Sequence, residues 1–159
     1  GSDEDLLTLL GDCKNALIAV GQIKTADLRI RFFNQLQKDG FFFPVIVSPH
    51  AYVSPHANLN AGTIVMHGAV VNAGAGVGEN CIINTHALIE HEAIVANHCH
   101  ISTGAIINGN ASIGVGSFVG SGSIIEHGIT LGSGCVVGMG LAVRHHRKDN
   151  ARILTNDKP

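Results

Sequence analysis

The run Ile89-Glu90-His91-Glu92 sets an imidazole between two carboxylates. A histidine flanked in this way can take a proton from an attacking hydroxyl or amine, while one acid holds its tautomer. The pattern returns thirty-six residues on as Ile125-Glu126-His127, and His100 stands nine residues beyond His91. An exposed histidine is more often a solvated side chain than a base, so the elements that carry these three must decide between the readings.

Those elements are legible in a repeat of six. From Val47 to Val143, seventeen consecutive positions at steps of six are Val, Ile or Leu, without a slip. Two places before each, the residue is nearly always small, as in Ala69, Ala75, Cys81, Ala87, Ala93 and Cys99. Residues two apart on a strand share a face, so the aliphatic and the small residue both point inward. One place after each aliphatic, Gly, Asn and Ser dominate, and these types are expected to take a left-handed backbone at the corners. The pattern predicts a parallel β-helix of triangular coils, three hexads and eighteen residues to a coil. Neighbouring coils should lie about 4.8 Å apart.

This frame sorts the histidines. His91 follows inward Ile89 by two places and projects from a corner. His100 is half a coil away, so within one chain the two cannot meet; they could meet across an interface between subunits. His127 lies two coils above His91 on the same edge, about 10 Å away. It could line a groove there, although a mere echo of the repeat is the plainer expectation. Gly109 lies one coil above His91, where the missing side chain lets a ligand approach the backbone or simply suits the corner.

The chain ahead of the repeat reads differently. Residues 3–10 suggest a short helix ended by Gly11, and Asn15–Val20 a buried strand. Thr25–Asp39 reads as an amphipathic helix with Thr25 as cap, a buried stripe of Leu28, Phe32 and Leu36, and Gly40 as stop. Phe41–Val47 is extended around Pro44. Residues 3–43 thus form a partial α/β segment, too short to make such a domain alone and expected to be abbreviated or truncated. The β-helix domain spans 44–143, and 144–159 is a C-terminal tail.

Composition excludes several classes. Charged residues are 14% and net charge is −2, so no basic nucleic-acid footprint is expected. No apolar run approaches the roughly 18 residues of a membrane span. The 45% hydrophobic share argues against disorder. Cys13, Cys81, Cys99 and Cys135 contain no CxxC pair, and three of them fall in the small-residue slot of the repeat. Small reduced thiols in a core suit a cytoplasmic protein.

Hexads at this density resemble the left-handed β-helix acyltransferases. More closely, Gly21-Gln22-Ile23-Lys24 with Arg29, the Ile89–Glu92 run, Asn84-Thr85, His100–Ala105, Asn108-Gly109, Ile113-Gly114 and Phe118–Gly120 resemble the sugar acetyltransferases of the PglD/NeuD group. The resemblance covers about residues 12–144. It implies transfer of an acetyl group from acetyl-CoA to the amino group of a bacterial amino-sugar nucleotide in surface-glycan synthesis. The alternative is a hydroxyl of a sialic-acid-type sugar. It also implies a homotrimer with active sites between subunits, which would let His91 and His100 meet. Under it His91 is the general base and Glu92 its orienting acid. Asn84 and Glu90 contact the sugar substrate, and His100, Gly109, Ser121, Arg144 and Lys148 contact the coenzyme. The Gly109 N–H would serve as an oxyanion or thioester donor, and the basic run Arg144, Arg147, Lys148 could bind the coenzyme's phosphates or be a solvated tail.

No metal is expected. His50, His86 and His91 do carry the 36 and 5 spacing of zinc ligands in gamma-class carbonic anhydrases, a remote alternative. Their positions in the hexad differ from that family's, so the frame is wrong for a zinc site. A purely structural role such as ice binding lacks its ladder, because Thr63, Thr85, Thr103 and Thr130 form no two-wide array.

Overall fold

The computed structural model describes residues 13–155. Among them one helix, α1 (Asp27–Lys38), precedes eighteen two-residue strands, from β1 (Ile46–Val47) to β18 (Arg152–Ile153). The strands stack in parallel into three sheets, which are the faces of a triangular β-solenoid. The first face begins Ile46–Val47, Ile64–Val65, Ile82–Ile83, His100–Ile101; the second begins Tyr52–Val53, Val70–Val71, Leu88–Ile89; the third begins Asn58–Leu59, Gly76–Val77, Ile94–Val95. Partners are eighteen residues apart, as in Val47 with Val65 and Ile89 with Ile107. The hexad frame therefore sets the register without a shift up to Val143.

The aliphatic column is the core. Val71, Val77, Ile83, Ile89, Ile101, Ile107, Val119 and Ile125 are fully buried. Each contributes roughly 1.5–3 kcal/mol of hydrophobic stabilisation before entropy is subtracted. The small-residue slot does more than fill space. The Cys81 and Cys99 thiols donate to the carbonyls of Ala96 and Gly114, both at 3.1 Å, and Ser117 Oγ donates to Gly132 at 3.0 Å. Each donor reaches a carbonyl fifteen residues on, in the next coil. Thiol and hydroxyl thus fit the same slot because both satisfy a carbonyl there. All four cysteines are free.

The corners correct one expectation. The left-handed residues stand three places after the inward aliphatic, not one: Asn80 (φ 52), His86 (φ 56), Glu92 (φ 59), His98 (φ 61) and Asn110 (φ 56), with glycine at most of the others. The glycines one place after the aliphatic serve close approach instead. A Cβ on Gly114 would lie 2.4 Å from the carbonyl carbon of Gly132 in the coil above.

The chain past Val143, expected as a tail, continues the solenoid. Arg147 bridges Leu131, and β18 pairs with Val136–Val137. Val136 faces Arg152 rather than a residue eighteen on, so this last turn is two residues short.

The N-terminal expectations need more correction. The helix at 3–10 lies outside the described residues. Asn15–Val20 is no strand: it keeps a single parallel bridge, Asn15 to Phe42, and only Ile18 is buried. In α1 the buried stripe is Arg29, Phe33 and Leu36, one residue later than Leu28 and Phe32. Leu28 is 43% exposed. Ala26 occupies the cap, and Thr25 Oγ1 accepts the Asp27 N–H at 3.2 Å from one place outside. The shift places a guanidinium where an apolar chain was expected, and backbone carbonyls make that tolerable. Arg29 donates to the carbonyls of Ile18, Val20 and Asn80 and to Asn80 Oδ1, and so fastens this segment to the solenoid.

Candidate active site

The corner after the second face presents His91. Its Nδ1 stands 3.5 Å from a carboxylate oxygen of Glu92, an ion-pair distance rather than a formed hydrogen bond. Both side chains are more than half exposed. Glu92 sits at the left-handed position of the corner, and that backbone turn lets consecutive side chains face each other. A carboxylate on the Nδ1 side favours the tautomer with its proton on Nδ1, which leaves the lone pair on Nε2.

Above His91 lies Gly109, buried under imidazole. A Cβ built there would come within 2.7 Å of His91 Nε2 and Cε1 and within 3.2 Å of His127 Nδ1. The two rings are 6.4 Å apart, closer than the two coil spacings expected, because both lie against Gly109 on the shared edge. Glu90 turns away from the imidazole. It accepts from Asn72 Nδ2 at 2.9 Å and from the His91 N–H at 3.2 Å.

A second constellation occupies the other side of the second face. His100, in the first face, directs Nδ1 to the Gln22 carbonyl at 2.8 Å and Nε2 to Asn84 Nδ2 at 3.1 Å. Its ring packs edge-on against Phe118, with centroids 5.2 Å apart. Burial holds this imidazole below its ordinary pKa, opposed by the Gln22 carbonyl and assisted by the Arg29 charge. Ser102 and Ser121 share a hydrogen bond of 2.9 Å beside it. His100, Ser102, Phe118 and Ser121 border a cleft of about 450 Å³ that Ile23, Lys24, Met139 and Leu154 also line.

The two constellations are separate in one chain, as the half-coil spacing requires. Arg144 lies on the His91 side, at the top of the second face, whereas Lys148 follows Arg147 onto the corner after the third face. The structure does not bring those two cations to one place. The described residues contain no group of three His, Cys, Asp or Glu placed to hold a metal ion. No helix among them is long and apolar enough to cross a membrane. Sequence reading missed Asn80 as a site support, and Gln22 was in view only through the resemblance. Arg29 was in view only through the resemblance, and nothing local signals its contact with Asn80, fifty-one residues away.

No curated protein matches the chain. The family model for the hexapeptide repeat of succinyl-transferase matches residues 110–144. Among solved structures, a mutant of perosamine N-acetyltransferase from Caulobacter crescentus, in complex with CoA and GDP-perosamine, superposes with a TM-score of 0.92 at 29% identity. It covers 96% of this chain and 71% of that one. The acetyltransferase domain of PglB from Neisseria gonorrhoeae FA1090 superposes at 0.83 with 32% identity, covering 91% of this chain and 72% of that one. The same domain in complex with acetyl coenzyme A gives 0.85 at 31%, covering 92% and 72%. With that identity and coverage, and with the hexad frame unbroken, the chain belongs to the hexapeptide-repeat β-helix sugar acetyltransferases that its Ile-Glu-His-Glu run resembles.

Proposed function

We propose that this protein transfers the acetyl group of acetyl-CoA to the amino group of an amino-sugar nucleotide in the cytoplasm. The observation that carries the reading is the His91 imidazole, with Nδ1 toward Glu92 and Nε2 against Gly109. The Caulobacter enzyme, with CoA and GDP-perosamine bound, and the Neisseria domain, with acetyl-CoA bound, support the two substrates.

His91 Nε2 takes a proton from the sugar amine as its nitrogen attacks the thioester carbonyl. Glu92 holds the Nδ1 proton and steadies the imidazolium that forms. The Gly109 N–H, beside the ring, is the donor for the developing oxyanion. Collapse breaks the C–S bond, and the proton on His91 passes to the departing CoA sulfur. Cys81, Cys99 and Cys135 take no part, because they are core residues bonded to carbonyls.

The site is shared between copies of the chain. The outward positions of the second face are Tyr52, Val70, Leu88, Ile106, Ile124 and Ala142, an unbroken apolar ladder. His91 stands at one border of this ladder and Asn84, with His100, at the other. A trimer closed through it sets the His91 edge of one subunit against the Asn84 edge of its neighbour.

The test is an acetyl-transfer assay with acetyl-CoA over 4-amino-4,6-dideoxy nucleotide sugars and sialic acids, reading thiol release and the acetylated product. An amide product, lost in His91→Ala, is the expected result. An ester on a sialic acid with no amide product would overturn the substrate class.

A further inference from the structure

His100 has the look of a second base or a coenzyme ligand, but its hydrogen bonds leave neither nitrogen free. Nδ1 faces the Gln22 carbonyl, which can only accept, so Nδ1 carries the proton. Nε2 faces the Asn84 side chain. Asn84 Oδ1 already accepts the Thr85 N–H at 2.7 Å, which fixes the carboxamide with Nδ2 toward the imidazole. A donor there requires Nε2 to be the bare acceptor. The ring is therefore neutral and held in one tautomer from both sides.

The carbonyl that sets this tautomer sits in a segment without helix or strand, and buried polar contacts hold the segment in place. Arg29, 1% exposed, ties the carbonyls of Ile18 and Val20 to Asn80. Gln22 Nε2 donates to the His98 carbonyl at 3.0 Å, and Asn80 Nδ2 meets His98 Nδ1 at 3.0 Å. The charged groups near His100 are the Arg29 guanidinium and Lys24, which lines the same cleft.

We propose that His100 is a positioning residue: locked by the Gln22 carbonyl, it aims the Asn84 carboxamide, whose second Nδ2 hydrogen is presented to the sugar substrate. Arg29 acts one step further back by placing Gln22. The role of Asn84 at the sugar rests on the acetyltransferase reading; the lock on His100 does not. A cation on His100 would set an N–H against the Asn84 amide hydrogens, so the relay works only with the neutral ring.

The test starts with the substrate-free protein. Histidine side-chain nitrogen NMR should show His100 as the Nδ1-protonated tautomer, staying neutral through pH values where ordinary histidines are charged. Asn84→Asp, a change at a half-buried corner, turns the donor into an acceptor. Both ring nitrogens then face acceptors, and His100 should charge at higher pH. In the assay, His100→Phe and Asn84→Ala should each raise KM for the amino sugar about tenfold. The double variant should be no worse than either, and KM for acetyl-CoA should hold. His100→Gln, which can donate to Gln22 and accept from Asn84, should restore the sugar KM. An Nε2-protonated ring, or one whose titration Asn84→Asp leaves unchanged, would overturn the lock whatever the substrate. A raised KM for acetyl-CoA alone would make His100 a coenzyme ligand instead. A correct NMR signature with no acetyl transfer to any amino sugar would sink the acetyltransferase reading and the aiming role, and leave the lock standing.

Discussion

The His91 imidazole rests on Gly109, one coil above it, at a distance that leaves no room for a methyl group: a Cβ there would lie 2.7 Å from Nε2. Gly109 has no left-handed backbone to protect, unlike Gly104 or Gly116. Gly109→Ala should therefore fold and stay assembled while it displaces the ring from Glu92 and from the substrate. A misplacement of about 1 Å can cost 10²-fold in rate, so kcat is expected to fall by about that factor with an unchanged melting temperature. A variant with wild-type kcat would show that the ring does not work from this position.

His91→Ala removes the proposed base. General-base catalysis is worth about 10²–10⁴-fold, and turnover should fall by that much with little loss of coenzyme affinity. Glu92→Gln should cost no more than about tenfold, because an ion pair this exposed is screened by solvent. His127→Ala should leave turnover near wild type, since His127 touches the Gly109 site from the far side of His91. All three side chains lie outside the core, so stability should change by no more than about 0.5 kcal/mol. If His127→Ala matched His91→Ala, the assignment of the base would have to be reopened.

Stability should fall in mild acid, with His98 and His100 responsible. Burial depresses both imidazoles below their ordinary 6.5, opposed by Glu79 at His98 and by the Gln22 carbonyl at His100. The unfolded chain then binds protons that the folded chain refuses. Their contribution is complete above the unfolded value and is lost as pH falls through the depressed folded values. Urea midpoints should be lower at about pH 5.5 than at about pH 7.5, and His100→Gln should flatten the difference. Equal slopes in the variant and the wild type would remove His100 from the explanation.

The solenoid was legible because one periodic property determines it. A period of six fixes which side chain faces inward, and that fixes the stacking of Ile89 under Ile107 and of His91 beside Gly109. The corners were read less well, because glycine serves two ends there. Gly114 admits the backbone of the next coil, while Gly116 supplies the positive φ, and composition alone does not separate them. The N-terminal segment obeys no period. Its burial follows the surface it leans on, and a buried Arg29 defeats a search for apolar stripes. The His100 lock joins residues seventy-eight apart through a backbone carbonyl, a contact to which no side chain in the sequence points.

Assembly gives the sharpest check on how the site is completed. The second face offers an apolar ladder between the His91 and Asn84 edges, with Ile124 40% exposed in a single chain. Ile106 and Ile124 are neighbours on that ladder, and a carboxylate on either must be desolvated if a second copy packs there. Ile106→Glu and Ile124→Glu should shift the mass in light scattering from about three times 16.6 kDa toward one. They should abolish acetyl transfer at the same time, because neither changes a residue of either constellation. Ile94→Glu, on the third face and 48% exposed, is the control; it should remain trimeric and active. A second-face variant that runs as a monomer yet keeps full turnover would mean that His91 and Asn84 never needed each other's chain.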